Sequence, residues 1–109
     1  MSTIEITQDN HDELVKDGIV LIDVWASWCG PCKAFGPIFE EASDVHTDIK
    51  FGKINSDEQQ ELSADYGIRS IPTLIIYKDG EPVYSKPGAI PRMELERLIE
   101  EAKKLDVKA

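Results

Sequence analysis

The run Ile19-Val-Leu-Ile-Asp-Val-Trp-Ala26 constrains this chain more than any other stretch. Seven of its eight residues are apolar, and they do not alternate with polar ones. A strand with one wet face alternates, so an unbroken run is expected in a central strand covered on both faces. That demands a layered fold with helices on each side of a sheet. The chain has 109 residues, the size of a single domain, and residues 1–109 are expected to form one. A chain of this size buries roughly two-thirds of its unfolded surface, enough for a core without staples.

The flanking segments alternate in kind. Thr3 to Ile6 suits a short strand, and Asp9 to Lys16 a helix with Asp9 or Asn10 as its cap. Gly18 ends that helix. Beyond Cys32, Phe35, Ile38, Phe39 and Ala42 stand at i, i+3, i+4 and i+7, one buried helical stripe. Pro37 lies inside this helix and is expected to kink it. Ile49 to Asn55 suits a second interior strand, Asp57 to Tyr66 a weaker helix capped by Ser56 or Asp57, and Pro72 to Tyr77 a third strand. Asp79-Gly80 is a two-residue hairpin turn, so Pro82 to Ser85 should return antiparallel. Met93, Leu95, Leu98, Ile99, Ala102 and Leu105 mark a final helix that starts near Pro91. The pattern β-α-β-α-β-α-β-β-α predicts an α/β fold. Its mixed five-stranded sheet has parallel crossovers, an antiparallel edge and helices on both faces.

Charge narrows the partners. Twelve basic and 21 acidic side chains give a net charge of −9. Nucleic acid and anionic membrane surfaces both call for clustered Lys and Arg, so neither is expected as a partner. No apolar run approaches the roughly 20 residues of a membrane helix. The acidity is concentrated in residues 1–50, with 3 basic and 10 acidic side chains, and a solvated surface that aids solubility accounts for it. The N-terminal residues carry no basic region followed by an apolar stretch, so a cytoplasmic location is expected.

The two cysteines need a use, because the cytosol keeps thiols reduced. Cys29-Gly-Pro-Cys32 falls where the central strand gives way to a helix. Residues i and i+3 in a first turn lie roughly 5–6 Å apart, within disulfide range. Cys29 would meet the free N–H groups and positive end of the helix dipole, which lowers a thiol pKa and makes it nucleophilic. Cys32, one turn inside, would be more buried and act as its resolving partner. Pro31 stiffens the first turn, and Gly30 leaves room for a substrate backbone. Other readings exist. A staple closing four residues would remove little chain entropy, and zinc needs four ligands where only His11 and His46 remain. The motif could also occur by chance. A redox pair beside a βαβ pattern uses both thiols.

Asp23 is the sole charge in the apolar run. Burial should raise its pKa. It is either a core carboxyl satisfied by backbone or a proton acceptor beneath the cysteines.

These residues together resemble the thioredoxin family. The likeness rests on Asp23-Val-Trp-Ala-Ser-Trp-Cys-Gly-Pro-Cys-Lys33 with Pro37, on Arg69-Ser-Ile-Pro-Thr73, and on Lys86-Pro-Gly-Ala89, and it covers the whole chain. The resemblance implies the thioredoxin fold, with four helices about the sheet. It implies that Asp23 takes a proton from Cys32, through water, and that Lys53 on the neighbouring strand tunes Asp23. It implies a cis Ile71–Pro72 bond packed against the cysteines, in a loop whose backbone pairs with an extended client segment. Trp28 would be a partly exposed lid, whereas Trp25 is expected in the core. Gly30, Pro31, Ile71, Gly88 and Ala89 would form a flat apolar surface for clients, and Lys33 is expected to be a solvated helix residue that gives the thiolate some electrostatic help. The chain departs from the common pattern at Val24, Ser56, Ser70 and Pro87, which bears on packing and partner preference rather than on the redox pair.

The expected activity is reduction of protein disulfides by a monomer that needs no metal or cofactor. No nucleotide or flavin motif is evident, so a separate reductase would supply electrons. An alternative is a scaffold or binding subunit with incidental redox activity. An oxidase or isomerase would instead call for a polar dipeptide between the cysteines and an export signal.

Overall fold

In the computed structural model, which describes residues 2–106, the apolar run lies at the centre of the sheet. In chain order the elements are β1 (Thr3–Glu5), α1 (His11–Val15), β2 (Ile19–Trp25), α2 (Gly30–Val45), β3 (Lys50–Asn55), α3 (Gln60–Asp65), β4 (Thr73–Lys78), β5 (Glu81–Pro87) and α4 (Arg92–Lys104). The five strands form one sheet in the order β1-β3-β2-β4-β5. Because β2 pairs along both edges, its backbone groups are satisfied without water.

The side chains of β2 divide by parity. Val20, Ile22 and Val24 pack on one face with Ile6, Ile54, Ile75, Val15 of α1 and Leu62 of α3. Leu21 packs on the other with Phe51, Leu74, Phe35 and Phe39 of α2, and Leu95 and Ile99 of α4. Residues 20–24 are buried on both faces, as the unbroken run requires. No helix among the described residues is long and apolar enough to cross a membrane.

Three features differ from the sequence expectation. First, β4 runs antiparallel to β2, although alternating strands and helices predicted a parallel crossover. The chain between Asn55 and Thr73 starts and finishes at the same end of the sheet, so β4 enters from the end at which β3 leaves. There Trp25 lies opposite Asn55 and Val24 lies opposite Thr73.

Second, α3 is shorter than predicted, and neither Ser56 nor Asp57 caps it. Asn55 Oδ1 accepts from the Asp57 and Glu58 N–H groups at 3.0 and 3.4 Å, which holds that stretch in a turn, and Gln59 takes the N-cap position. Asn10 takes the N-cap position of α1, one of the two residues expected there, although its side chain makes no cap hydrogen bond. Its side chain clamps the preceding loop through Thr7 N–H and the Glu5 carbonyl.

Third, three residues read as buried are not. Met93 is 83% exposed, because it stands two residues before Leu95, about 200° around the helix. Leu105 lies past the last turn of α4 and is exposed. Trp25 is only half-buried, at the strand end.

The hairpin follows its turn chemistry. Asp79 (φ 51°) and Gly80 (φ 85°) both take positive φ, as a tight turn between twisted strands requires.

Gly52 of β3 sits on the α1/α3 face, and a Cβ there would lie 2.7 Å from Ile6 Cγ1. Gly52→Ala should therefore cost about 1–3 kcal/mol through overpacking. Thermal unfolding should register the loss as a lower Tm, and Ile6→Val should recover part of it in the double variant. Additive effects of the two changes would contradict this packing.

Candidate active site

The site forms where β2, β3 and β4 present their ends together. Cys29 is the N-cap of α2, in extended backbone (φ −91°, ψ 116°), and Pro31 sits in the first turn. The Cys32 N–H points at Cys29 Sγ, 3.2 Å away. Cys29 and Cys32 are joined by a disulfide with a Cα–Cα distance of 5.3 Å. Both are 5% exposed and pack with Ala26, Trp25 and Ile71. Exposure thus does not distinguish the two sulfurs as the sequence suggested. Their positions do, because Cys29 caps the helix end and Cys32 lies within the first turn.

The loop before β4 closes over the pair. The Ile71–Pro72 bond is cis, as the resemblance implied. The Ile71 carbonyl oxygen is 3.6 Å from Cys29 Sγ. The Pro72 carbonyl accepts from Gly88 N–H at 2.8 Å, which brings the end of β5 to the same place. Gly88 has φ 111°, a conformation glycine accepts readily. Ala89 follows it on the exposed surface. A Cβ added to Gly30 would meet open space, so nothing within the protein requires glycine there. Trp28 is 68% exposed, and its indole N–H donates to Asp57 Oδ2 at 3.0 Å.

Asp23 lies on the α2 face of β2, fully buried, directly opposite Lys53 in the β2–β3 register. Both side chains, with Cys32, Pro37 and Glu40, line a cleft of about 640 Å³ beneath the disulfide. Neither carboxyl oxygen of Asp23 has a protein hydrogen-bond partner. Burial pushes its pKa up from 3.8 to about 7; the Lys53 charge pulls it down and Glu40 adds a smaller upward push. The alternative of a core carboxyl satisfied by backbone is thus not what the structure has. Lys53 also places its Nζ over the Trp25 ring, 5.1 Å from the centroid.

Two participants escaped the sequence reading. Asp57 anchors Trp28, and only the tertiary fold brings them together. Glu40 has one buried oxygen without a partner in the cleft wall. Its signal was present, since Cys32, Gly36 and Glu40 follow at i, i+4 and i+8 on one helix face. The histidines lie elsewhere. His11 bonds with Asp12 and Tyr66, and His46 with Glu96.

Comparison with known proteins agrees with this geometry. The thioredoxin family model matches residues 2–101. The Streptomyces coelicolor protein named "Putative thioredoxin 2" is 48% identical over 107 residues, 97% of this chain and 80% of that one. The thioredoxin of Bacillus subtilis is 41% identical over 100 residues, covering 91% of this chain and 96% of its own. The crystal structure of Malassezia sympodialis thioredoxin superposes with a TM-score of 0.84 at 34% identity, covering 94% of each chain.

The raised pKa of Asp23 makes stability depend on pH. Below about pH 4 both states hold the proton. From there to about pH 7 the unfolded chain releases it while the folded chain keeps it, so stability falls as pH rises. The full loss, reached above pH 7, is about 4 kcal/mol. In Asp23→Asn this fall should vanish. Urea unfolding of the oxidised protein at several pH values measures it, and an equal slope in both proteins would contradict the assignment.

Proposed function

Since this chain belongs to the thioredoxin family and carries its cysteines as a joined redox pair, we propose that Cys29 attacks and Cys32 resolves in the reduction of protein disulfides. The protein is a thiol–disulfide oxidoreductase of that family, whose members act on disulfide-bearing clients and are recycled by a reductase. The observation that carries the assignment of roles is the Cys32 N–H aimed at Cys29 Sγ at the start of α2. A helix N-terminus and a directed N–H favour the thiolate over the thiol at that sulfur.

In the reduced protein the Cys29 thiolate attacks one sulfur of a client disulfide. A Cys29–client disulfide forms and the client's other sulfur leaves as a thiolate. Cys32, once deprotonated, attacks Cys29 Sγ. The client leaves with both sulfurs reduced, two electrons have moved, and the Cys29–Cys32 disulfide is restored. Asp23 takes up the Cys32 proton, a role supported by its place in the same cleft and a pKa of about 7, close to working pH. The gap between the two groups is bridged by water in this scheme. Lys53 tunes Asp23 from the facing position on β3. Trp28, Gly30, Pro31, Ile71, Pro72, Gly88 and Ala89 form the client surface, with the Ile71 backbone offered to an extended segment.

In this reading residues 1–109 are a single domain and the protein works as a monomer, a reading supported by one chain supplying both cysteines and the surface around them. It works in the cytoplasm, where a reductase returns two electrons to the pair.

Insulin-disulfide reduction with dithiothreitol tests the roles. Cys29→Ser should abolish turnover, whereas a Cys29→Ser protein as fast as wild type would favour the scaffold reading. Cys32→Ser should accumulate client-linked disulfides through Cys29. With Asp23→Ala, resolution should slow about ten- to a hundredfold near neutral pH, as expected for loss of a general base, and single-turnover kinetics across pH would show it.

A further inference from the structure

The chain has three arginines, and two are engaged by carboxylates. Arg92 pairs with Glu41 and Glu96, and Arg97 with Glu94 and Glu101. Arg69 alone has no ion pair or hydrogen bond among the described residues, in a chain with 21 carboxylates. Its position is not arbitrary. It stands two residues before Ile71, whose carbonyl oxygen faces Cys29 Sγ at 3.6 Å, so at most about 7 Å of chain separates the two Cα atoms.

Arg69 lies between two depressions. One, of about 340 Å³, runs from Trp28 along Ser56 and Gln60 to Ser70 and Ile71. The other, of about 210 Å³, lies towards Thr73 and Ser85. Neither has a carboxylate in its wall, and Arg69 is the one charged residue in both. The nearby Asp57 is held by the Trp28 indole. On α3 the depression meets Gln60, Ser63 and Ala64, whereas Glu61 and Asp65 are not in its wall. The cleft beneath the disulfide has the opposite character. Asp23, Glu40, Glu41 and Asp44 line it, against Lys33 and Lys53. The surroundings of the disulfide are therefore polarised, with cationic and hydroxyl groups on one side and carboxylates on the other. Ser56 and Ser70 add hydroxyl donors on the Arg69 side.

We propose that the depression between Trp28 and Arg69 seats an acidic side chain of the client, one that flanks the attacked cysteine. The inference rests on the disulfide-reductase reading above and adds a substrate class to it: disulfides with a neighbouring Asp or Glu. A guanidinium offers planar, paired donors that fit a carboxylate better than an ammonium does. The Trp28 ring, pinned through Asp57, gives the depression a rigid wall against the client's aliphatic carbons. Because the depression lies to one side of the disulfide, the preference applies to one side of the client cysteine.

Fluorogenic cystine peptides test this. Glu, Gln or Lys is placed in turn one and two residues to either side of the attacked cysteine, and reduction by the prereduced protein is followed in stopped flow. Wild type should favour Glu over Lys about fivefold on one side of the cysteine only, the scale of a partly exposed ion pair. The ratio should shrink in high salt. Arg69→Gln should bring it near one, and Arg69→Glu should invert it. The Glu/Lys ratio within each protein is compared, so a general change in rate does not enter. A ratio that Arg69→Glu leaves unchanged, or an equal preference on both sides of the cysteine, overturns the acidic subsite while the reductase reading stands. Failure of wild type to reduce any peptide overturns the reductase reading itself.

Discussion

The structure depends on one strand being satisfied on four sides. β2 is paired along both edges and covered on both faces, so it has no freedom to slip or tilt. A one-residue slip would turn Asp23 towards the α1/α3 face and Ile22 and Val24 towards α2. Everything chemical is placed relative to its end. The chain leaves β2 at Trp25, and within seven residues it has passed both cysteines of the disulfide and entered the first turn of α2. Helix direction then follows from packing, with Phe35, Phe39 and Ala42 buried on the sheet.

That rigidity is what raises the pKa of Asp23. A carboxyl in water can relax its solvent and titrate near 4. One held in a fully covered strand cannot, and the cost falls on its ionised form. The same residue therefore lowers stability at neutral pH and, with its pKa raised to about 7, exchanges its proton near neutral pH. The compensations are incomplete: Lys53 faces Asp23 across the β2–β3 register, but Glu40 adds a second carboxylate to the same cleft. Asp23 is thus an ill-satisfied group in the cleft that Cys32 also lines, and the surrounding apolar core offsets its cost.

Much of this was readable from the chain. The period-free run gave the central strand, the 3.6-residue stripes gave α2 and most of α4, and Asp79-Gly80 gave the hairpin. The Cys-x-x-Cys spacing at a strand–helix junction gave the redox pair. Short-range signals mislead where they compete. Met93 has the apolar character of the α4 stripe but opposes it by half a turn. Ser56 and Asp57 have cap-forming side chains, but the Asn55 side chain claims that turn. Trp25 is hydrophobic enough for the core, yet a tryptophan at a strand end is large enough to reach the surface.

The sequence by itself determined which residues are buried in the central strand, where the helix carrying the cysteines starts, and that Asp23 would be expensive to ionise. These follow from local periodicity, local turn chemistry and the solvation of a single group. Only the tertiary structure decided which distant residues meet the disulfide. β4 had to run antiparallel to β2 for Ile71 and Pro72 to arrive over Cys29, with Gly88 drawn in behind them. That orientation depends on where the chain between Asn55 and Thr73 packs against the sheet. It is a property of lengths and packing in three dimensions, which no window of neighbouring residues contains.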